Sequence, residues 1–371
     1  MIADINPGSG TRYTWLQRIH LDGTLLFGLL MACGIGTVVL YSASGGSLEV
    51  MERQVLRVAL AFGTMTLIAQ IPPRYLLHWT PWLFTAGVAL LAAVLAVGDI
   101  GKGAQRWLDL GFIRFQPSEM MKLTMPMMLA WFLANSRLPP SPLRLLAAGM
   151  LVIIPTLLIA KQPDLGTSLL IACSGFFVLF LAGIYWRILI GLLAAAAGGA
   201  PVAWYLMHEY QRQRVITFLN PEQDPLGTGY HIIQSKIAIG SGGLYGKGWL
   251  NGTQSHLEFL PERSTDFIFA VLGEEFGLIG ILILLSVYGF IILRSVHIAT
   301  QAQDTFTRLL AGSLALTFGV YVLINTGMVT GLLPVVGVPL PLISYGGTSM
   351  VTLMAGFGIL MSVHTHRKLL T

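Results

Sequence analysis

Charged residues are scarce in this chain. Of its 371 residues, 22 are Lys or Arg and 17 are Asp or Glu, a charged share of 11%. Soluble domains contain about 25% charged residues, so the composition excludes an ordinary soluble enzyme. Cysteine is scarcer still: Cys33 and Cys173 both lie inside apolar runs, which excludes a disulfide scaffold and a cysteine-rich metal site.

Long apolar runs fill most of the sequence, in which 54% of the residues are hydrophobic. A run of about 20 apolar residues with few charges is typical of a transmembrane helix. The pattern predicts an all-α polytopic membrane protein, a bundle of about ten transmembrane helices forming one domain over residues 1–371. The predicted spans are 25–41, 55–71, 82–98, 118–135, 145–160, 168–183, 186–207, 267–293, 309–328 and 349–363.

Charge asymmetry between the loops predicts the orientation. Ten spans place both termini on one side, and the loops and termini there hold ten Lys and Arg against three Asp, a net charge of +7. The rest of the chain has a net charge of −2. Because short loops rich in Lys and Arg are typical of the cytoplasmic side, we expect cytoplasmic termini and an extracytoplasmic segment between the seventh and eighth spans.

That segment, residues 208–265, is the longest polar stretch of the chain. It is rich in aromatic residues, which disordered segments lack, so we expect a folded extracytoplasmic loop that carries a functional site. Within it, 230–239 mixes apolar and polar residues at helical spacing and predicts a short helix on the membrane surface. The glycine-rich run 240–248 favours turns, with a nest of N–H groups for a pyrophosphate as the alternative.

Ionisable residues near the ends of several predicted spans are candidate functional groups. Arg106 follows the third span, and Glu119 and Lys122 share one helix face at the start of the fourth. Such a pair either faces the bundle interior with a functional role or is a helix-end pair that reaches the interface. Asp164 either caps the sixth helix or binds substrate. The uncharged Pro- and Gly-rich run 330–349 predicts a re-entrant loop packed under the active site, the alternative being a simple hydrophobic loop.

An acidic run precedes the eighth span. Glu258, Glu262 and Asp266 recur every four residues, which would align them if this stretch were helical. Asp266 immediately precedes the apolar run, where a carboxylate is compatible with helix capping and equally with catalysis at the membrane surface. The spacing alone does not choose between these roles.

Four motifs carry a resemblance to a known family. They are QPSE at 116–119, QPDLGTS at 162–168, GSGGLYGKG at 240–248 followed by LEFLPERSTDFIFA at 257–270, and the run from Asn325 to Ser349 that contains GLLPVVGVPLPLISYGGTS. In these motifs the chain resembles the SEDS family of bacterial shape, elongation, division and sporulation proteins. The resemblance covers essentially the whole chain and is strongest to the elongation members.

The resemblance implies a peptidoglycan glycosyltransferase that polymerises lipid II on the outer face of the bacterial inner membrane during cell elongation. The leaving group would be undecaprenyl pyrophosphate. The family's essential aspartate corresponds to Asp266, and its intramembrane Glu and Lys correspond to Glu119 and Lys122. The implied partners are a class B penicillin-binding protein, which supplies the transpeptidase, and the MreC, MreD and RodZ proteins of the elongation assembly.

A mechanism follows for such a reaction. A carboxylate can take the proton of the acceptor hydroxyl, and Asp266 is the expected base. Cations would hold the pyrophosphate, with a divalent ion such as Mg or Mn as an alternative clamp. The candidate cations are Arg106, Arg212, Arg214, Lys236 and Lys247. Asp164, Glu258 and Glu262 are further candidates for contacting substrate. Two other functions remain open at this stage: a flippase for the lipid-linked precursor, and a scaffold without activity.

Overall fold

A computed structural model of the chain describes residues 19–101, 104–109, 111, 114–207, 209–223, 227–256 and 262–366. These parts contain thirteen α-helices, three short strands and one 3-10 turn. The helices are α1 (Gly23–Ala43), α2 (Leu48–Ala69), α3 (Pro73–Val97), α4 (Pro117–Ala134), α5 (Pro142–Lys161), α6 (Leu165–Leu181), α7 (Trp186–Leu206), α8 (Glu209–Leu219), α9 (Thr228–Gly242), α10 (Thr253–His256), α11 (Ile268–Thr300), α12 (Thr305–Val329) and α13 (Thr348–Thr365). The 3-10 turn is Pro221–Gln223.

Each of the ten predicted spans falls on one of these helices. Six helices are long and apolar enough to cross a membrane: α1, α3, α5, α11, α12 and α13. The predicted polytopic all-α architecture is therefore confirmed, while the count of ten spans stays a prediction. Local sequence explains where several helices begin: Asp22, Asp164 and Asp304 accept a hydrogen bond from a first-turn N–H, and α3, α4 and α5 begin with proline.

Small residues let the helices approach each other closely. A Cβ added to Gly358 of α13 would lie 2.5 Å from the Met65 carbonyl oxygen of α2, and one added to Gly87 of α3 would lie 2.5 Å from the Met121 sulfur of α4. Such contacts are the usual way that helices pack in lipid, where burial of apolar surface gives little driving force.

Helix α11 is divided by a break at Gly277, which has φ 64° and ψ −161°. The part after the break is long enough to cross the membrane, and the part before it leads from the long polar segment. The glycine-rich run packs against this break: a Cβ on Gly246 would lie 2.1 Å from the Glu275 carbonyl oxygen, and one on Gly277 would lie 2.4 Å from the Gly246 nitrogen. Only glycine permits both approaches.

Residues 331–347 form an irregular segment between α12 and α13, and most of residues 338–344 are buried. A Cβ on Gly36 of α1 would lie 2.8 Å from the Ile343 Cα, and one on Gly166 of α6 would lie 2.7 Å from the Val336 carbonyl oxygen. The Tyr288 hydroxyl of α11 donates to the Pro341 carbonyl at 2.6 Å. The segment is therefore enclosed by helices, as expected for non-helical backbone inside a membrane protein.

Three strands precede α4 and were not predicted. They are β1 (Asp99–Gly101), β2 (Ala104–Asp109) and β3 (Arg114–Phe115), which pair in the antiparallel order β1-β2-β3. Strand β2 carries Arg106, and β3 leads directly into the QPSE motif, so the small sheet places that arginine beside the start of α4.

At the end of the bundle that carries the termini, polar contacts connect α1 to α11 and α13. Arg294 donates to both carboxylate oxygens of Asp22, at 2.7 and 3.0 Å. The His20 and His366 rings stack with their centres 4.1 Å apart. Burial, with a smaller contribution from His366, lowers the pKa of His20.

Candidate active site

Glu119 and Lys122 form an ion pair at the start of α4. The Lys122 Nζ lies 2.6 Å from a Glu119 carboxylate oxygen, and the two side chains are only 10% and 9% exposed. The same ammonium lies 5.6 Å from the centre of the Tyr321 ring on α12. The pair thus faces the bundle interior, so the alternative of a solvated helix-end pair is wrong.

Asp164 connects α6 with β2 and the QPSE motif. Its carboxylate accepts a hydrogen bond from the Thr167 N–H at 3.2 Å, which confirms the predicted cap. It also lies 3.7 Å from an Arg106 guanidinium nitrogen and accepts from the Gln116 amide at 3.3 Å. Arg106 additionally donates to the Pro163 carbonyl at 2.6 Å. Two predicted site residues, Arg106 and Asp164, are therefore in direct contact.

A cavity of about 530 Å³ opens beside the Glu119 pair, within the usual size range of ligand sites. It lies between α2, α4 and α13 and is mostly apolar, with a few polar groups. The lining residues are Arg57, Leu60, Phe115, Gln116, Glu119, Met120, Leu123, Gly347, Thr348, Val351, Thr352 and Ala355.

Arg57 is the functional candidate that the sequence analysis missed. Its guanidinium carbon lies 4.1 Å from the centre of the Tyr345 ring, a cation–π contact at the edge of the cavity. The signal was present in the sequence, because Arg57 is a charged residue inside a predicted span and such residues are usually functional.

Asp266 lies in a turn, residues 262–267, whose backbone is fixed by the irregular segment and α12. The carbonyls of three consecutive residues accept hydrogen bonds: Ser264 from the Tyr345 N–H at 2.8 Å, Thr265 from the Ser344 hydroxyl at 2.6 Å, and Asp266 from the Asn325 amide at 2.9 Å. The predicted packing of this segment under the Asp266 turn is confirmed.

The Asp266 side chain lies one residue before the N-cap of α11 and beside the irregular segment. Phe267, not Asp266, occupies the N-cap position of α11. The Asp266 side chain is partly exposed, and a Cβ added to Gly337 would lie 3.6 Å from its Oδ2. Gly337 has φ +72°, so the backbone of the irregular segment comes near the carboxylate at a position that favours glycine.

One face of α12 joins the two groups of residues. Tyr321 lies beside Lys122, and Asn325, one helical turn further on, holds the Asp266 carbonyl and also donates to the Val338 carbonyl at 2.7 Å. Residues four apart on a helix share a face. The buried ion pair and the Asp266 turn are thus successive layers of one site.

The condition for aligning the acidic residues, a helix through their stretch, is not met between Glu262 and Asp266. Residues 262–267 form turns, and Glu262 has φ +51° because the chain reverses there. Its exposed carboxylate accepts from the Thr265 hydroxyl at 2.7 Å. Glu258 lies outside the described residues.

Two of the predicted pyrophosphate cations have other contacts. Arg212 of α8 donates to the Trp204 and Tyr205 carbonyls at 2.9 and 2.8 Å, where it satisfies the end of α7. Lys247 lies 2.7 Å from the fully buried carboxylate of Glu274, so it serves an internal ion pair instead of an anion from outside.

The phosphate nest predicted as an alternative for residues 240–248 is also wrong. The N–H groups of Gly246, Lys247 and Gly248 donate to backbone carbonyls, those of Gly242, Glu274 and Glu275 respectively. No donor of these three is left for a phosphate, so the run is a packing element of the fold.

The remaining two predicted cations lie on the helices of the polar segment. Lys236 is exposed on α9, and its side chain reaches Gly331 at the start of the irregular segment, where an added Cβ would lie 2.7 Å from the Nζ. One turn earlier on α9 the His231 ring stacks on Phe267, with centres 5.6 Å apart. Helix α9, predicted over 230–239, therefore covers the Asp266 turn. Arg214 is partly exposed on α8.

Metal-binding chemistry has little support from the side chains that are described. Among them, no group of three or more His, Cys, Asp or Glu residues could hold a metal ion. A single carboxylate such as Asp266 would suit only an ion such as Mg²⁺ that substrate phosphates also bind.

Comparison with known proteins places the chain among named relatives. A family model described as "Cell cycle protein", of the FtsW, RodA and SpoVE type, matches residues 16–369. The peptidoglycan glycosyltransferase MrdB of Escherichia coli (strain K12) is 57% identical over 359 residues, 96% of this chain and 97% of that protein. The MrdB of Helicobacter pylori is 37% identical over 85% of this chain and 83% of its own length.

Solved structures agree with the sequence relatives. A chain from a structure reported for the coordination of polymerisation and crosslinking by a peptidoglycan synthase complex is 34% identical, with a TM-score of 0.81 over 92% of this chain and 97% of that one. The crystal structure of the Thermus thermophilus rod-shape-determining protein RodA is 29% identical, with a TM-score of 0.71 over 94% and 98%. The chain belongs to the FtsW, RodA and SpoVE family of cell cycle proteins, the SEDS family, and is a multi-pass membrane protein.

Proposed function

We propose that the chain is a peptidoglycan glycosyltransferase that polymerises lipid II into glycan strands during cell elongation and releases undecaprenyl pyrophosphate. Relatives that bear the name peptidoglycan glycosyltransferase match almost the whole chain, at up to 57% identity. The observation that carries the proposal is the Asp266 turn, whose three consecutive carbonyls are held in place beside a buried charged cluster and a cavity of ligand size.

Asp266 acts as the general base of the reaction. The acceptor is a sugar hydroxyl of N-acetylglucosamine, which loses its proton to the carboxylate as its oxygen bonds to the anomeric carbon of the donor. The bond from that carbon to the pyrophosphate breaks in the same step, and the pyrophosphate leaves with the bonding electrons. A positioned base contributes about 10²–10⁴-fold to such a step. Fixing the backbone on both sides of Asp266 pre-orders its carboxylate for this role.

Cations around the cavity neutralise the pyrophosphate. Arg57 lines the cavity, and Lys122 belongs to the ion pair beside it. Arg106 is near the same groups through its contact with Asp164. Arginine suits this task because its planar guanidinium binds phosphate oxygens bidentately. Lys236 approaches from the α9 side. Glu119 keeps the buried Lys122 charged and in position before substrate arrives.

The apolar part of the cavity receives the polyprenyl chain. The cavity is bordered by three membrane helices, and its lining includes Leu60, Met120 and Val351. A lipid tail in this space would bring its pyrophosphate towards the polar end, where Gln116 and Arg57 lie. Tyr345 connects this end with the base, because its ring contacts Arg57 while its N–H holds the Ser264 carbonyl.

The charge distribution supports an extracytoplasmic site in the bacterial inner membrane, with both termini cytoplasmic. A cysteine replacing the exposed Glu222 would then react with an impermeant maleimide in intact spheroplasts. Labelling only after lysis would overturn this orientation.

We further propose that the chain works with a class B penicillin-binding protein, and through it with MreC, MreD and RodZ. One similar structure comes from a complex that its report describes as a peptidoglycan synthase, which couples polymerisation to crosslinking. Adding a cognate class B protein to the purified chain should raise its polymerisation rate, and an unchanged rate in a verified complex would contradict this partnership.

A divalent cation such as Mg²⁺ or Mn²⁺ is proposed only as an additional group that holds the pyrophosphate. Among the described residues, Asp266 is the carboxylate that we expect to contact such an ion. If the arginines and lysines suffice, chelation by EDTA should leave polymerisation largely intact. A loss of activity that added Mg²⁺ restores would assign the ion an essential role.

The deciding experiment for the function uses purified protein in lipid nanodiscs with lipid II and the cognate partner. Glycan strands should appear, and an Asp266→Ala control in the same complex should form none. Movement of lipid II across vesicle membranes without any glycan product would contradict the glycosyltransferase and support a flippase. Absence of both activities in a verified complex would leave the scaffold function.

A further inference from the structure

The glycine-rich run ends in a loop with exposed aromatic and aliphatic side chains. In this aromatic loop, residues 243–250, Tyr245 is 80% exposed, Leu244 60% and Trp249 46%. Large apolar side chains clustered in this way mark an interaction surface. The position of the loop in the fold indicates which surface these side chains contact.

The aromatic loop packs beside the last turns of α1, a helix long and apolar enough to cross the membrane. The Trp249 indole donates to the Val38 carbonyl of α1 at 3.1 Å, and its ring lies 5.7 Å from that of Tyr41. Val38 is five residues before Ala43, the last residue of α1, which places Trp249 about 7 Å inside the end of that helix at 1.5 Å per residue. Tryptophan and tyrosine are enriched at this depth in membrane proteins.

The loop also borders surface that already faces lipid. The N–H groups of Leu278 and Ile279, the first residues after the α11 break, donate to the Gly243 and Leu244 carbonyls at 3.0 and 3.2 Å. Leu278, Ile279 and Leu282 are exposed on a helix long and apolar enough to cross the membrane, where we expect lipid chains around them. Leu244 extends this apolar surface beyond the end of the helix.

Several polar groups at the centre of the loop are paired inside the protein. The N–H groups of Gly246, Lys247 and Gly248 all donate to backbone carbonyls. The Lys247 ammonium binds Glu274 and the Thr253 hydroxyl, both at 2.7 Å. Irregular backbone enters an apolar environment only when its polar groups are paired in this way.

We propose that the aromatic loop is a membrane anchor: Leu244, Tyr245 and Trp249 insert among the lipid headgroups and upper acyl chains on the side of the long polar segment. The anchor would fix the depth of the first part of α11, which follows the Asp266 turn. The anchor requires only the membrane, and its existence does not depend on the proposed glycosyl transfer.

Depth-dependent quenching tests this anchor. In a Cys33→Ala, Cys173→Ala background, a cysteine replaces Tyr245 and carries an environment-sensitive fluorophore in nanodiscs. Matched controls carry the fluorophore at Glu222, which is exposed on the polar segment, and at Leu282, which faces lipid within the span. The Tyr245 probe should emit at shorter wavelength than the Glu222 probe and be quenched about threefold less by iodide. It should be quenched more by a lipid spin label near the headgroup than by one near the chain end, and this preference should be weaker for the Leu282 probe, which lies further along the span.

Emission and iodide quenching equal to those of the Glu222 probe would overturn the anchor. Protection that appears only when a partner protein is added would also overturn it and would make the loop a protein-docking surface. If the cysteine-free background does not fold, brominated lipids provide a second measurement on the native sequence. They should quench the wild-type tryptophan emission more than that of Trp249→Phe, and equal quenching of the two would contradict the proposal.

Discussion

Two Lys–Glu ion pairs of nearly equal length differ in what they connect. Lys247 and Glu274 are 27 residues apart and lie 2.7 Å from each other. The Thr253 hydroxyl and the Gln254 N–H donate to the same Glu274 carboxylate oxygen, each at 3.0 Å. Lys122 and Glu119 are three residues apart on one helix, and their 2.6 Å contact has no hydrogen bond from another element among those described; only the Tyr321 ring of α12 lies near, 5.6 Å from the ammonium. The pair borders the cavity.

This difference separates a structural role from a functional one. Burying two charges is costly, and a pair that connects distant segments offsets part of that cost by fixing the fold. The Glu119 pair lies within one helix turn and meets another element only through Tyr321, so we propose that it is kept inside the bundle for what it does for a ligand. The same reasoning removes Lys247 from the pyrophosphate site and retains Lys122.

Among the variants that test this comparison, removing both charges of the Glu119–Lys122 pair gives the largest expected effect on activity. The double variant Glu119→Gln, Lys122→Met leaves no unpaired charge, so its thermal stability should stay near that of the wild type. Polymerisation should fall by about 10²–10³-fold, the loss known for one charge-stabilising donor in an active site. Turnover in the lipid II assay and a thermal melt of the same preparation measure the two quantities, and full activity would contradict the functional role.

The matched double variant at the Lys247–Glu274 pair should lose stability and keep its activity. Lys247→Met with Glu274→Gln removes the charged hydrogen bonds that hold α10 to α11, each worth about 1.5–3 kcal/mol. The melting temperature should drop, while polymerisation per folded molecule should change little. If activity is lost with an unchanged melt, the comparison between the two pairs is wrong.

A smaller effect is expected at Asn325, which positions the Asp266 turn. Asn325→Ala removes two hydrogen bonds worth about 1 kcal/mol each and releases the Asp266 carbonyl. The turnover number should fall by about tenfold with a smaller change in KM, because a misplaced base affects the chemical step most. Thr326→Ala is the control, since that hydroxyl bonds only to carbonyls of its own helix. Equal effects of the two variants would reject the positioning role.

The smallest effect is expected at Gly337. Gly337→Ala costs about 1–2 kcal/mol in backbone strain at φ +72° and adds a methyl group beside the Asp266 carboxylate. Gly111→Ala is the matched control, because Gly111 has φ +84° but no atom near the added Cβ. Both variants should lose similar stability, and only Gly337→Ala should lose activity, by a few fold. Equal activities would show that the Gly337 backbone does not border the reacting carboxylate.

The sequence predicted those features that depend on local patterns. Each hydrophobic run predicted as a span falls on a helix, six of them long and apolar enough to cross a membrane, and the i, i+3 spacing of Glu119 and Lys122 identified their shared face. The capping role of Asp164 followed from its position before an apolar run. The Pro- and Gly-rich composition of 330–349 indicated the irregular segment.

Features that depend on contacts between distant segments were not predictable. Lys247 resembled an anion-binding lysine until the fold placed Glu274 beside it, and the acidic spacing of Glu262 and Asp266 suggested a helix where the chain turns. Arg57 is charged inside a predicted span, but its place at the cavity depends on the irregular segment and α13, which bring Tyr345 and Thr348 to it. Periodicity describes one element at a time and says nothing of its neighbours.

The central claim is that Asp266 is the base of a glycosyl transfer, and Asp266→Asn tests it most directly. The amide keeps the size and hydrogen-bonding tip of the side chain but cannot accept the proton at neutral pH. We expect the variant to retain its melting temperature and partner binding and to lose nearly all lipid II polymerisation, with no recovery on adding Mg²⁺ or Mn²⁺. Partial recovery at high cation concentration would make Asp266 a metal ligand instead, and a rate near that of the wild type would contradict the account.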